Sequence, residues 1–174
     1  MNFDNFTIKA QQAVQQAVDS AQQNGQQAIT PVHLLAGVLA VGENVTKFIF
    51  GKLGVNERSL QAAVHQELSR QPRVSGGSAS PYLDQDANAV ALKAQDLARK
   101  GGDTYVGLEP MLQALLEVKS VAAQMLKDAG VTTDGLKKAI EELRGGQKAT
   151  SQSSEDTYQA LEKYARNLVE EARN

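Results

Sequence analysis

The chain has 174 residues, with 18 Lys and Arg against 20 Asp and Glu, so its net charge of −2 offers no basic field to hold a phosphate backbone, and nucleic acid is not an expected partner. It contains no cysteine, which removes disulfides, thiolate zinc sites and cysteine nucleophiles together and suits a reducing, cytoplasmic setting. Hydrophobic residues make up 41% and aromatics only 5%, so the core must be aliphatic. No stretch approaches the ~20 apolar residues of a membrane span and Met1-Asn2-Phe3-Asp4 is no basic leader, so neither a membrane nor a secretory route is expected.

In chain order, Ala10, Ala13, Val14, Ala17, Val18 and Ala21 repeat at the spacing of one helix face, and Gly25 follows where a left-handed residue ends a helix. Thr30-Pro31 supplies a capping hydroxyl and a proline at the first position of a second helix, which runs through Leu34, Leu35, Val38 and Leu39. A third apolar stretch, from Val45 to Leu53, closes at Gly54. Asn56 then caps a fourth helix striped by Leu60, Ala63, Val64 and Leu68. Gln71 to Pro81 holds a Ser/Gly run that reads as a flexible loop. The same plan then repeats as helices near 84–100, 107–117, 120–129 and 133–144. Displaced by 76 residues and without a gap, Val14 falls on Val90, Gly25 on Gly101, Leu39 on Leu115, Gly54 on Gly130 and Leu60 on Leu136. In that register Lys93 stands opposite Ala17, and Glu109 opposite His33.

The expected fold is therefore all-α: two tandem four-helix repeats, 7–68 and 83–144, packed with pseudo-twofold symmetry into one domain of residues 1–144, because neither unit has enough large side chains to stand alone. Residues 145–154 are Gly-, Ser- and Gln-rich and read as a flexible linker. Residues 155–174 resume helical spacing through Tyr158, Leu161, Tyr164 and Leu168 as a C-terminal linker helix outside the repeat.

Catalysis has no support in the sequence. His33 and His65 have no partner at metal-ligand spacing, no nucleophile, base and orienting group can be assembled, and Gly51-Lys52 lacks both the leading glycine and the following Ser or Thr of a phosphate loop. No catalytic residue and no metal ligand is assigned, and an enzyme is not expected.

Phe6-Thr7-Ile8-Lys9-Ala10, Ile29-Thr30-Pro31-Val32-His33-Leu34-Leu35 and Lys100-Gly101-Gly102-Asp103-Thr104-Tyr105-Val106 resemble the duplicated amino-terminal domain of Clp ATPases. Thr157-Tyr158-Gln159-Ala160-Leu161-Glu162-Lys163-Tyr164, after Leu143-Arg144-Gly145-Gly146, resembles the junction to the first ATPase module in the ClpB disaggregases. The resemblance implies a substrate-engaging domain of an ATP-driven chaperone. It would bind exposed segments of unfolded or aggregated polypeptides and deliver them to the pore of a hexameric ATPase ring, in the cytoplasm, under stress. ATP and Mg would belong to ATPase modules that this chain does not contain, so no cofactor is expected for it, and the isolated domain is expected to be monomeric. Adaptor docking or gating of the ring is the alternative. The same resemblance points to Thr7, Leu97, Asp103, Glu109 and Pro110 as substrate-binding residues. Thr7 as a helix cap, Glu109 as an acid at a helix N-terminus and Asp103 as a brace of the turn after Gly101-Gly102 are the purely structural readings of three of them.

Overall fold

The computed structural model describes residues 2–74, 80–156 and Tyr158. Among the described residues of the two repeats, eight helices follow the expected order: α1 (Ile8–Gln23), α2 (Pro31–Val41), α3 (Glu43–Leu53), α4 (Glu57–Arg70), α5 (Gln85–Lys100), α6 (Leu108–Glu117), α7 (Val121–Asp128) and α8 (Thr133–Arg144). Two two-residue strands, β1 (Ala28–Ile29) and β2 (Tyr82–Leu83), complete the pattern. Most helix starts carry the caps their sequences offer. The side chains of Thr7, Asn56, Asp84, Ser120 and Thr132 each accept a hydrogen bond from the amide three residues on, which satisfies a donor the helix leaves free.

The two units are interleaved rather than stacked. Within each, the first two helices pack together, α1 on α2 and α5 on α6, but the third helix of each lies on the fourth of the other, α3 on α8 and α7 on α4. The backbone repeats this exchange. β1 of the first unit pairs in parallel with β2 of the second, Ile29 opposite Leu83, and Phe6 of the first pairs with Val106 of the second. Each unit thus borrows part of its core, including Ile49, Phe50, Leu126 and Leu136, all essentially inaccessible. This accounts physically for the pseudo-twofold arrangement: half of it would expose both a helix face and a strand edge.

The register of the repeat differs from the ungapped 76. The buried residues of α1, Ala10, Ala13, Val14, Ala17 and Ala21, correspond one for one to Ala87, Val90, Ala91, Ala94 and Ala98 of α5, 77 positions on. Leu34, Leu35, Gly37, Val38 and Leu39 of α2 correspond in the same way to Met111, Leu112, Ala114, Leu115 and Leu116 of α6. Only after α3 and α7 does the offset become 76, because five residues separate Ile49 from Val55 and four separate Leu126 from Val131. The double glycine allows both registers in sequence. The left-handed residue is Gly102 (φ 83°), matching Gly25 (φ 65°), whereas Gly101 caps α5 at φ −81°. Two expectations change as a result. Lys93 is the counterpart of the solvent-facing Gln16 rather than of Ala17, and Glu109 is the counterpart of Val32, with Pro110 matching His33.

Residues 145–154, expected to be a flexible linker, lie against the domain. Ala149 accepts hydrogen bonds from the Thr104 and Tyr105 amides and Gln152 from the Ile8 amide, all at 2.9 Å. Ala149, Ser154, Glu155 and Tyr158 are buried. A Ser/Gly/Gln composition predicts mobility only while its carbonyls face water, and here backbone donors of the domain meet them. Of the linker helix expected beyond, Glu155 and Asp156 are helical and Tyr158 is buried, and the rest lies outside the described residues. The serine- and glycine-rich centre of the 71–81 loop lies outside them as well. Among the described residues no single helix is long and apolar enough to cross a membrane.

Candidate functional site

Three of the five residues singled out in the sequence meet at the N-terminus of α6. Thr7 caps α1: its hydroxyl accepts from the Ala10 amide (3.1 Å) and donates to Glu155 Oε2 (2.7 Å). Asp103 follows left-handed Gly102, and its amide returns to the Ala98 carbonyl (2.8 Å), which fixes the side chain against the end of α8. There Asp103 Oδ1 accepts from Arg144 Nη1 (3.0 Å) and from the Ala149 amide (2.9 Å). Glu109, in the first turn of α6, accepts from Arg144 Nε (3.3 Å) through Oε1. Thr7 and Glu109 are 0% and 1% exposed and the Asp103 side chain 3%, so residues 148–156 and Tyr158 cover all three rather than leaving them as a rim.

Leu97 and Pro110 stand apart from this polar cluster. Leu97 is half-buried on α5 against the core, and Pro110 is buried in the first turn of α6. Neither has a polar contact to Thr7, Asp103 or Glu109.

Arg144, Glu155, Tyr158 and Gly107 are the participants that sequence reasoning missed. Arg144 holds both carboxylates and lies over the Tyr158 ring at 5.5 Å. Gly107 precedes α6 without a capping side chain, and Glu155 Oε2 supplies the missing acceptor to the Leu108 amide (3.1 Å). A Cβ on Gly107 would lie 2.8 Å from Glu109 Oε2 and 3.0 Å from Glu155 Oε2, so glycine makes room for two carboxyl groups side by side. Burial first, and then the Glu109 charge, push the Glu155 carboxyl up to about 7. Glu109 Oε2, Arg144 Nη2, Glu155 Oε1 and Tyr158 Oη are buried without a hydrogen-bond partner among the described residues. Arg144 was visible in sequence as a basic residue ending a helix, and Glu155 as the first acid after the linker. Nothing in their spacing announced that they meet.

The cluster can do two things chemically: accept or release a proton at Glu155, and hold a segment of backbone through the Ile8, Thr104 and Tyr105 amides. Among the described residues no group of three His, Cys, Asp or Glu is placed to hold a metal ion. Two shallow grooves lie elsewhere, about 280 Å³ between α4 and α7 along Leu60, Ala63 and Met125, and about 230 Å³ between α2 and α4 along Leu39 and Val64.

Residues 5–129 match the model of the Clp repeat (R) N-terminal domain. The chain belongs to the Clp repeat N-terminal domain family. The chaperone protein ClpB of Bacteroides thetaiotaomicron is 55% identical over 174 residues, which are 100% of this chain and 20% of that one. The ClpB of Porphyromonas gingivalis is 48% identical over the same coverage. This chain therefore spans about a fifth of the length of these relatives, and it is a Clp N domain rather than a catalytic ATPase module. Among solved structures, the Hsp104 N-terminal domain from Candida albicans superposes with a TM-score of 0.78 at 25% identity, covering 87% of this chain and 99% of that one. The N-terminal domain of ClpD from Arabidopsis thaliana shares the fold, with a TM-score of 0.64 at 22% identity over 84% and 98% of the two chains. The all-helical duplicated architecture and the kinship with ClpB chaperones expected from the sequence are thereby established.

Proposed function

We propose that this Clp N domain is the substrate-engaging module of a ClpB-type disaggregase. It catches exposed segments of unfolded or aggregated polypeptide and hands them to a hexameric ATPase ring formed by the rest of the protein. The observation that supports this reading is the convergence of Thr7, Asp103 and Glu109 beside three backbone amides, those of Ile8, Thr104 and Tyr105, that already bind a segment of chain through its carbonyls. Backbone recognition of that kind reads little side-chain information, as a domain serving many clients requires. Half-buried Leu97 and the exposed Ile8 and Leu92 provide apolar surface, worth about 25 cal/mol per Å² removed from water. In this reading the domain itself uses no ATP or metal, and its contribution is to raise the client's effective concentration at the pore.

An amide NMR titration of the chain with a permanently unfolded protein, with the same protein folded as control, tests this. Shifts at Ile8, Leu97, Thr104 and Tyr105 with the unfolded form alone are the expected result, and equal response to both forms overturns it. A second reading, gating of the ring, is favoured by one observation: Tyr158, in the segment that resembles the junction to an ATPase module, is buried beneath Arg144 and so is anchored to the domain. Capture of the isolated ring at fixed stoichiometry, with no response to unfolded protein, would select it.

A further inference from the structure

The two pseudo-equivalent helix starts, those of α2 and α6, are completed differently. At α2 the cap is Thr30, and His33 Nδ1 reaches back to accept from the Thr30 amide (3.0 Å). At α6 the corresponding residue is Gly107, which has nothing to offer, and a carboxylate 47 residues from Leu108 does the work. Its Oε2 takes the Leu108 amide and the Thr7 hydroxyl together, in the space that a side chain at 107 would fill. Glu109, 1% exposed, adds a second pointer to a ligand: its Oε2 faces the same space without a partner among the described residues.

The segment that delivers the carboxylate touches the domain sparingly. Ala149 is buried and its carbonyl takes two amides, Gln152 gives one carbonyl, and Glu155 gives its carboxyl, while the side chains from Thr150 to Ser153 face solvent. What the domain reads in this stretch is a small residue with its amide and carbonyl, a second backbone carbonyl, and a buried serine followed by an acid six residues after the small one. None of it requires that the segment belong to this chain.

We propose that the N-terminus of α6, completed by the Thr7 hydroxyl, is a carboxylate-reading site for acidic polypeptide segments that place a carboxyl group after a turn, and that residues 148–155 fill it from within the chain as a tethered competitor. The inference rests on the client-binding reading above and gives it a regulation: the surface that would receive a client is occupied until the tethered segment lifts. Tethering gives the internal segment an effective concentration in the millimolar range, so a free peptide competes poorly until that segment is weakened.

The test uses the full 174-residue chain with Glu155→Ala, and Glu155→Gln as a milder variant that keeps the side-chain volume. Hydrogen exchange reads the seat directly: Ile8, Thr104, Tyr105 and Leu108 should exchange at least about tenfold faster in Glu155→Ala, while Gln26 and Asp103, whose amides bond to helix carbonyls, stay unchanged. The probe is a synthetic nonapeptide copying residues 148–156, together with a copy carrying alanine in place of the Glu155 equivalent. The first should bind Glu155→Ala at least about fivefold more tightly than the unmodified chain, and the second should bind neither. Equal binding of the two peptides, or unchanged exchange at the four amides in both variants, overturns the proposal. A reduced, carboxymethylated unfolded protein is titrated in parallel and should also gain affinity for Glu155→Ala. If the nonapeptide discriminates as expected and the unfolded protein ignores both chains, the client-binding reading fails and the regulation with it, while the acid site itself stands.

Discussion

The two units solve one packing problem with opposite chemistry. Each has to tie the turn after its first long helix to the end of its own fourth helix, and each begins with a buried polar residue directly after the left-handed glycine: Gln26 in the first, Asp103 in the second. In the first unit the connection is neutral. Gln26 donates to the Leu68 carbonyl (2.7 Å), and its own carbonyl meets His33 Nε2 at 2.6 Å. Because His33 Nδ1 accepts an amide, Nε2 carries the proton, and burial holds the imidazole at about 4, uncharged at neutral pH. In the second unit Asp103 meets a cation, Arg144, which also holds Glu109 and leaves buried atoms unsatisfied. The neutral unit is closed and complete. The ionic one is finished by residues 148–156 and Tyr158, and this is the sense in which duplication of a fold leaves one copy free to acquire a site.

Removing Arg144 should break the comparison most severely. Arg144→Ala leaves Asp103 and Glu109 buried without their cation, a change that costs about 3–5 kcal/mol in such pairs, toward the lower end here because residues 148–156 can lift and admit water. Urea denaturation reads the loss. Combining Arg144→Met with Asp103→Asn and Glu109→Gln makes the second unit neutral like the first and should recover most of it. No recovery would mean that packing of the arginine stem, rather than charge, is what holds the turn.

The next largest effect concerns spacing. Gly37 lets α2 approach α1 so closely that a Cβ there would lie 2.1 Å from the Ala13 carbonyl oxygen, whereas its counterpart Ala114 already carries one. Gly37→Ala should cost about 1–3 kcal/mol or more by forcing the helices apart, and Ala114→Gly only about 1 kcal/mol through lost helix propensity. Similar losses from the two substitutions would show that α1 can slide to make room.

Helix boundaries were legible because period, caps and glycines all pointed the same way, as with Ala10 to Ala21 closed by Gly25. The register was not, because two adjacent glycines and an alanine-rich face match almost as well one residue off. The interleaving of α3 with α8 and α7 with α4 left no mark in sequence, since an apolar stripe does not say which partner covers it. Thr7, Asp103 and Glu109 came from resemblance, and the structure brings them together. Their burial could not be read, because it depends on Arg144 and Glu155, residues whose local sequence is that of any solvated helix end or linker.

Acid should separate the units. Between pH 6.5 and about 4 the unfolded chain binds a proton at His33 that the folded first unit does not, so His33 contributes stability above that window and loses it as pH falls. Glu155 has the opposite sign. Its folded value near 7 exceeds the ordinary carboxylate value of 4.5, so its contribution is fully present below 4.5 and is lost as pH rises through 7. The groups that bear on Glu155 are Glu109 from α6, the Thr7 hydroxyl from α1, and Tyr158, with Arg144 and Asp103 on the far side of Glu109. Lowering pH from 8 to 6 should therefore raise the protection of the Ile8, Thr104 and Tyr105 amides, measured relative to their intrinsic exchange at each pH, even as the His33 contribution to global stability begins to fall. Parallel loosening of both would place the proton elsewhere than on Glu155.

The smallest effect is the most discriminating. Thr7 and Asp84 are equivalent caps of α1 and α5, and each accepts one amide hydrogen bond, from Ala10 and Ala87. Thr7→Ala and Asp84→Ala should each cost about 1 kcal/mol of stability, the usual value of such a cap. They differ in what else the side chain does. Asp84 only accepts, whereas the Thr7 hydroxyl also donates to Glu155. Thr7→Ala alone should therefore free the Leu108 amide and raise exchange along residues 148–155. Thr7→Asp should keep the cap and still open the segment, because it sets a carboxylate against a carboxyl group. If Thr7→Asp leaves the segment seated, the hydrogen bond from Thr7 to Glu155 is incidental, and the contacts of Ala149 and Gln152 hold the segment in place.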